Sequence, residues 1–274
     1  MRPFSAIIVL YLAALLACPS SLAATVKRED DEEKKMTCRN THTVFSENTD
    51  GWKAYGSPKG TFELTSDGLE MRLLKPEKPV ERLIDKETEL PYNSDAGVGP
   101  TFNSTTYMHY GKFTAVAKAA PKGGAVTAFI LIADNRDEID FEFTGGAPHT
   151  AQTNFFWGER PEYTVNGASH QVPGGSVYDE FHTYTIHWTP ERIVWYIDDK
   201  QVRIQEKKKT CKDGVCKYPS HPARVQVGLW DGSFEYGTAE WAKGPIDWDG
   251  VKHISAYLKE VRIECDPDYN EIVE

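Results

Sequence analysis

"RDEIDFEFTGG", Arg136 to Gly146, alternates acid and hydrophobe residue by residue. Glu138, Asp140 and Glu142 take every second position, and Ile139, Phe141 and Phe143 fall between and after them. In a β-strand the side chains at i, i+2 and i+4 share one face. The stretch therefore reads as a strand with three carboxylates on one side and three core side chains on the other. Three readings of the acidic face compete. It could be a solvated outer face, although such a face normally mixes in Lys or Arg. It could hold a hard cation, since carboxylates suit Ca²⁺. Or it could be a glycosidase pair with a helper, one carboxylate acting as nucleophile and a second as acid/base. Positions i and i+4 of a flat strand lie ~13 Å apart at Cα, from a rise of ~3.3 Å per residue, whereas a retaining pair stands only ~5–5.5 Å apart at the carboxyls. Two Glu side chains leaning together on a sheet bent towards the acids close most of that gap. The shorter Asp140 lies lower between them. Such a site is a groove across a concave sheet, able to hold a polymer.

The surrounding chain supplies the sheet. Segments rich in Val, Ile, Thr and aromatics follow one another with turn signals between them: Gly60 to Leu74, Tyr110 to Ala120, Gly124 to Ala133, Ala151 to Gly158, Phe181 to Thr189, Arg192 to Ile204, Ala223 to Asp231 and Ser255 to Cys265. Asp198-Asp199 falls where Arg192 to Ile204 should turn as a hairpin. No 3.6-residue periodicity runs beyond about three turns. The expected fold is all-β, a sandwich of two packed antiparallel sheets.

The ends of the chain read differently. "AIIVLYLAALLA", Ala6 to Ala17, follows Arg2 and precedes the small residues Ser21 to Ala23, the pattern of a cleaved secretory signal over residues 1–23. The run is short of the ~20 apolar residues of a spanning helix. Residues 24–37 are a charged leader, too polar to bury anything and expected to be disordered, and residues 38–274 form the domain. No hydrophobic tail follows "CDPDYNEIVE", so no lipid-anchor signal is evident. The net charge of −10 and the absence of a broad basic patch argue against nucleic acid. Cys18 leaves with the signal. Cys38, Cys211, Cys216 and Cys265 then suggest two disulfides among three possible pairings. The Asp213-Gly214 turn favours Cys211–Cys216, leaving Cys38–Cys265 to tie the chain ends. Asn103-Ser104-Thr105 is a glycosylation acceptor and reads as surface-exposed. No metal-ligand spacing, nucleophile-elbow Ser, phosphate loop or dinucleotide fingerprint occurs, so neither metal nor cofactor is expected, and a monomer is.

"DEIDFEF" resembles the active-site strand of glycoside hydrolase family 16, Glu-x-Asp-x-Glu in the form without an extra residue before the last Glu. Plant xyloglucan transglycosylases and fungal Crh-type cell-wall transglycosylases share that form. "AQTNFFWG", "FHTYTIHWTPERIVWYIDDKQVR", "VQVGLW" and "GTAEWAKGPIDWDG" are similar to successive Crh-type blocks, so the resemblance covers Val44 to Cys265 and favours the fungal branch. It implies a concanavalin-A-like β-jelly roll, with Glu138 as nucleophile, Glu142 as proton donor and acid/base, and Asp140 assisting. Gln226, Trp230 and Thr238 match positions that contact sugar; Trp241 and Asn154 join them as candidates, and Gln152 is a further polar side chain on the neighbouring strand. Core or sheet packing is the alternative for Trp230, Trp241 and Trp248; Trp230, beside Asp231 at a strand end, reads rather as a sugar platform. The implied activity is a secreted retaining transglycosylase that cuts β-linked wall polysaccharide, chitin above all, and passes it to β-glucan or chitin. A plain endo-β-1,3(4)-glucanase is the nearest alternative and a lectin-like sandwich the alternative of another class. The chain departs from the pattern in lacking a Ser/Thr-rich tail and a chitin-binding module, and in carrying Lys243 where Gly is common.

Overall fold

A computed structural model describes residues 35–158 and 162–273. The signal reading of residues 1–23 and most of the charged leader lie outside the described residues. The leader's last residues do not: Met36–Arg39 is a strand, paired in parallel with Asn270–Val273. Among the described residues, regular structure thus begins two residues before Cys38. The Cys38–Cys265 disulfide joins this strand to the end of His253–Cys265 across a separation of 227 residues.

Two large antiparallel sheets carry most of the rest, beside the small ribbons Arg82–Ile84 with Pro91–Asn93 and Cys211–Lys212 with Val215–Cys216. The front sheet runs Ala168–Gln171, Thr150–Phe156, Glu138–Thr144, Ala125–Ala133, Ala223–Asp231, Thr101–Ser104 and Trp52–Ala54. The back sheet runs Lys200–Glu206, Arg192–Ile197, His182–Trp188, Gly111–Lys118, His253–Cys265, Gly68–Leu74 and Phe62–Thr65, with Thr41–Val44 also on His253–Cys265. Ala125–Ala133 pairs on one side with the strand that follows it and on the other with Ala223–Asp231, far along the chain. Such long returns between neighbours make the sandwich a jelly roll. Hairpins account for the local pairs. Asp198 and Asp199, at φ 47° and 61°, form the tight turn between Arg192–Ile197 and Lys200–Glu206; the left-handed conformation that this turn needs is one Asp tolerates.

The core is the space between the sheets. Ile139, Phe141 and Phe143 point into it and are buried, as their alternation requires. Phe141 and Phe143 pack with Phe129 of the front sheet and Tyr184 of the back sheet, ring centroids 4.5–6.2 Å apart. Each such ring contributes on the order of 1.5–3 kcal/mol by leaving water. At one edge Arg203 clamps the sheets together. Its guanidinium lies 4.6 Å from the centre of the Trp195 ring and donates to the Thr153 carbonyl at 3.0 Å and the Asn166 carbonyl at 2.7 Å.

The sequence did not reveal the short helix Tyr236–Trp241. Six residues are too few to show a helical period. The helix leads to a bend at Lys243, whose φ of 61° is left-handed, so the Gly that is common there would fit without strain.

Candidate active site

Strand register sets the floor of the site. On the outer face of the front sheet, Glu138 stands between Phe156 and Ile132, Asp140 between Asn154 and Ile130, and Glu142 between Gln152 and Ala128. The rows continue onto the next strand with Arg224, Gln226 and Gly228, and Trp230 follows one row beyond Glu142. Ala128 and Gly228 leave the face beside Glu142 without bulk. The alternation thus brings Glu138, Asp140, Glu142, Asn154 and Gln226 onto one face. Thr238 stands apart on the helix, half-buried, with its methyl against Gly232. The three tryptophans divide: Trp248 is core, Trp241 is half-buried, and Trp230 is 36% exposed.

The acid strand is fixed from behind and at its start. Trp195 of the back sheet donates its indole N–H to the Asp140 carbonyl at 3.1 Å. Asp137, buried, accepts from the main-chain N–H of Gly158 and of Ser220 at 2.8 and 2.9 Å, and its Oδ2 lies 2.7 Å from His221 Nδ1. Sequence reading missed both residues. Asp137 is out of phase with the acids, and Trp195 lies on another sheet.

The electrostatics follow from depth. Both Asp140 carboxyl oxygens are buried, and no donor among the described residues reaches them. Burial pushes the Asp140 carboxyl well above the usual range, and the charges of Glu138 and Glu142 push it further. Both effects favour the protonated form of Asp140, the form that can donate to a neighbouring carboxylate. Burial also raises Glu138, and the Asp140 contact opposes that rise. Burial, with the charge of Glu138 adding to it, pushes Glu142 up to about 7. At all three carboxyls desolvation is a larger effect than repulsion among the acids. The contact with Asp140 works to keep Glu138 ionised while nothing offsets the rise at Glu142, and two carboxyls pushed unequally are what a nucleophile and an acid need.

An aromatic wall stands next to Glu142. Trp230 and Trp241 stack with ring centres 5.9 Å apart and planes 20° apart. Trp241 Nε1 donates to Gln152 Oε1 at 2.8 Å. Asn154 Oδ1 accepts from the Phe155 N–H at 2.9 Å, and its amide nitrogen remains a donor group.

Asn103 is not on an exposed loop. It lies on the inner strand Thr101–Ser104, half-buried, in the same row as Gln226 and Asp140. Ser104 is buried and accepts from the Val225 N–H at 3.0 Å. A three-residue acceptor motif carries no information about the strands on either side, which is why it read as surface. Away from this face, the hairpin Cys211–Cys216 is closed by its own disulfide. Among the described residues no group of three or more His, Cys, Asp or Glu is arranged to hold a metal ion, and no helix is long and apolar enough to cross a membrane.

Comparison with known proteins agrees with this geometry. The model of glycosyl hydrolases family 16 matches residues 65–250. Crh-like protein 2 of Aspergillus fumigatus is 37% identical over 186 residues, which are 64% of this chain and 41% of that protein. The probable glycosidase CRR1 of Saccharomyces cerevisiae is 40% identical over 163 residues, 57% of this chain and 38% of that one. The chain thus spans about two fifths of the length of these curated relatives. Among solved structures, a Crh5 transglycosylase in complex with NAG superposes with a TM-score of 0.69 at 30% identity, covering 84% of this chain and 86% of that one. By the acid strand, the sheet that carries it and this match, the chain belongs to glycosyl hydrolases family 16.

Proposed function

We propose that the protein is a retaining transglycosylase that cleaves chitin-type β-linked polysaccharide and transfers the fragment to a β-glucan or chitin acceptor. The observation that carries this reading is the buried acid face: three carboxyls on one strand face without a cation among the described residues, with Glu142 pushed up to about 7 by burial and by the charge of Glu138. Glu138, as carboxylate, attacks the anomeric carbon. Glu142 gives its proton to the departing glycosidic oxygen. The sugar is then esterified to Glu138, and Glu142, now a carboxylate, takes the proton of the incoming hydroxyl as that oxygen displaces Glu138. Water in place of the sugar hydroxyl gives hydrolysis. Asp140, whose protonated form burial favours, stands beside Glu138 to hold the nucleophile and ease its departure in the second step. Gln226, Asn154, Thr238 and the Trp230–Trp241 pair bind the polymer. The donor class is supported by the Crh-like relatives and by the Crh5 transglycosylase in complex with NAG. Action outside the cell, in or near a wall, is supported by the two disulfides and by the signal-like run of residues 1–23.

The test is to incubate the full chain with chitin and with β-1,3-glucan, each with fluorescent chito- and laminari-oligosaccharide acceptors. Label moving into chitin-derived polymer is the expected result. New reducing ends without labelled polymer would make the protein a plain glucanase or chitinase. Binding without either would leave only a lectin.

A further inference from the structure

Gln152 is the cross-strand neighbour of Glu142, and two strands separate its own strand from that of Gly228 and Trp230. Its Oε1 accepts the Trp241 indole N–H at 2.8 Å, and Trp241 lies stacked on Trp230. Trp230 rises from the Ala223–Asp231 strand and Trp241 comes from the helix Tyr236–Trp241, so the indole pair bridges from that strand back to Thr150–Phe156. Strands lie ~4.8 Å apart, so the bridge crosses the two strands between, immediately beyond the row of Glu142. Trp230 is a third exposed and Trp241 half-buried, on a six-residue helix with no side-chain cap. Stacking alone leaves Trp241 free to rotate about its own ring; the Gln152 bond removes that freedom.

We infer that Gln152 is a positioning residue: through Trp241 it holds the indole pair as a wall on the acid/base side of the cleavage point, where the acceptor sugar must bind. This rests on the proposed transglycosylase reading. The group that protonates the leaving oxygen stands on the leaving-group side, and in the second step the acceptor occupies the place the leaving group vacated. A wall beside Glu142 therefore recognises the acceptor, and a wall fixed in one orientation offers its flat face without the entropy of ordering two large rings on binding. Gln152 would then govern how often a sugar, rather than water, completes the reaction.

Stacked indoles give a paired exciton signal in the far-ultraviolet circular dichroism, which Trp230→Phe abolishes and so assigns. In Gln152→Leu, similar in size but without an acceptor, we expect that signal to collapse and the KM for the acceptor oligosaccharide to rise about five- to tenfold, the effect of one lost hydrogen bond and a loosened aromatic face. The kcat for hydrolysis of the donor should fall by less than the acceptor KM rises. Gln152→Glu keeps an acceptor oxygen in place and should restore the exciton signal. If Gln152→Leu retains the signal, Gln152 does not hold the pair. If the signal goes and the ratio of transfer to hydrolysis stays at the wild-type value, the wall does not serve the acceptor; either result overturns the proposal. A wild-type chain that turns over no glycan would instead overturn the transglycosylase reading, and the exciton comparison would still report whether Gln152 orders the indoles.

Discussion

The molecule has two clusters of acids on its sheets, and they behave oppositely. On the back sheet Glu63 and Glu70 stand directly across from each other on Phe62–Thr65 and Gly68–Leu74. Two like charges in that position destabilise a sheet, but Arg72 reaches both, and Ser255 and Tyr257 donate to Glu70 at 2.7 and 3.3 Å. Burial by itself would raise Glu70; the Arg72 guanidinium and the Ser255 hydroxyl overcome it and hold the carboxyl below its usual range. On the front sheet Glu138, Asp140 and Glu142 have no cation beside them among the described residues, and all three are raised. Acids that a fold uses for stability are neutralised where they stand. Acids left buried and unneutralised cost stability, and what they supply in return is chemistry.

The largest effect should come from breaking the front cluster. Glu138→Ala should cut turnover on the order of 10⁴-fold or more, as loss of a nucleophile does, and Glu142→Ala about 10²–10⁴-fold, mainly for substrates with poor leaving groups. Azide separates the roles. With a good leaving group, Glu142→Ala should load the covalent intermediate and yield a β-azide, whereas Glu138→Ala should yield an α-azide by direct displacement. Products read by NMR in the exchanged order would reverse the assignment.

A smaller effect sharpens the contrast through pH. Glu142 has a folded pKa of about 7, above its unfolded value. The folded state therefore binds more protons between roughly pH 4.3 and 7, and stability falls as pH rises through that window. Glu142→Gln should remove the penalty, raising Tm at pH 7 by the equivalent of roughly 3 kcal/mol at most, with the advantage gone near pH 4. Thermal melts across pH measure this. If the variant is no more stable at pH 7 than at pH 4 relative to wild type, Glu142 is not held above its usual range. In the same window the wild-type kcat/KM should decline above about pH 7, as the acid loses its proton.

The smallest effect tests the opposite cluster. Arg72→Met should strip Glu70 of its cation and make it resemble the front acids. We expect a loss of about 1.5–3 kcal/mol from the missing charged hydrogen bonds, with glycan turnover kept at temperatures where the variant is folded. The sign in pH should also invert. The depressed Glu70 of the wild type contributes stability present above its unfolded pKa and lost as pH falls through the folded one; in Arg72→Met that acid-side loss should vanish. Denaturation midpoints at pH 7 and pH 3.5 would show it, and equal losses at both pH values would mean that Arg72 acts by packing alone.

Much of this contrast is legible in the chain, and the illegible part has a common cause. Alternation placed Phe141 and Phe143 inward and the three acids outward, because the side-chain period of a strand is a local property of the backbone. The Asp213-Gly214 turn brought Cys211 to Cys216 for the same reason. Asn103 read wrongly because its short strand has no local signature and is an inner strand only by virtue of the neighbours on both sides. Trp195, Asp137 and the helix Tyr236–Trp241 escaped because each acts through residues distant in sequence or is too short to show a period.

The sequence by itself determined that one strand presents three acids on one face, that this strand belongs to an all-β sandwich, and which family the acids resemble. Tertiary structure decided what those acids are. Strand register chose Gln152 and Ala128 as the neighbours of Glu142, the return of the chain after Asp231 brought Trp241 onto Trp230, and depth in the sheet, rather than mutual repulsion, became the main force on all three carboxyls. Facing is written in the period of a strand, but register and burial exist only once distant segments have packed, and the acidity of a buried carboxyl depends on both.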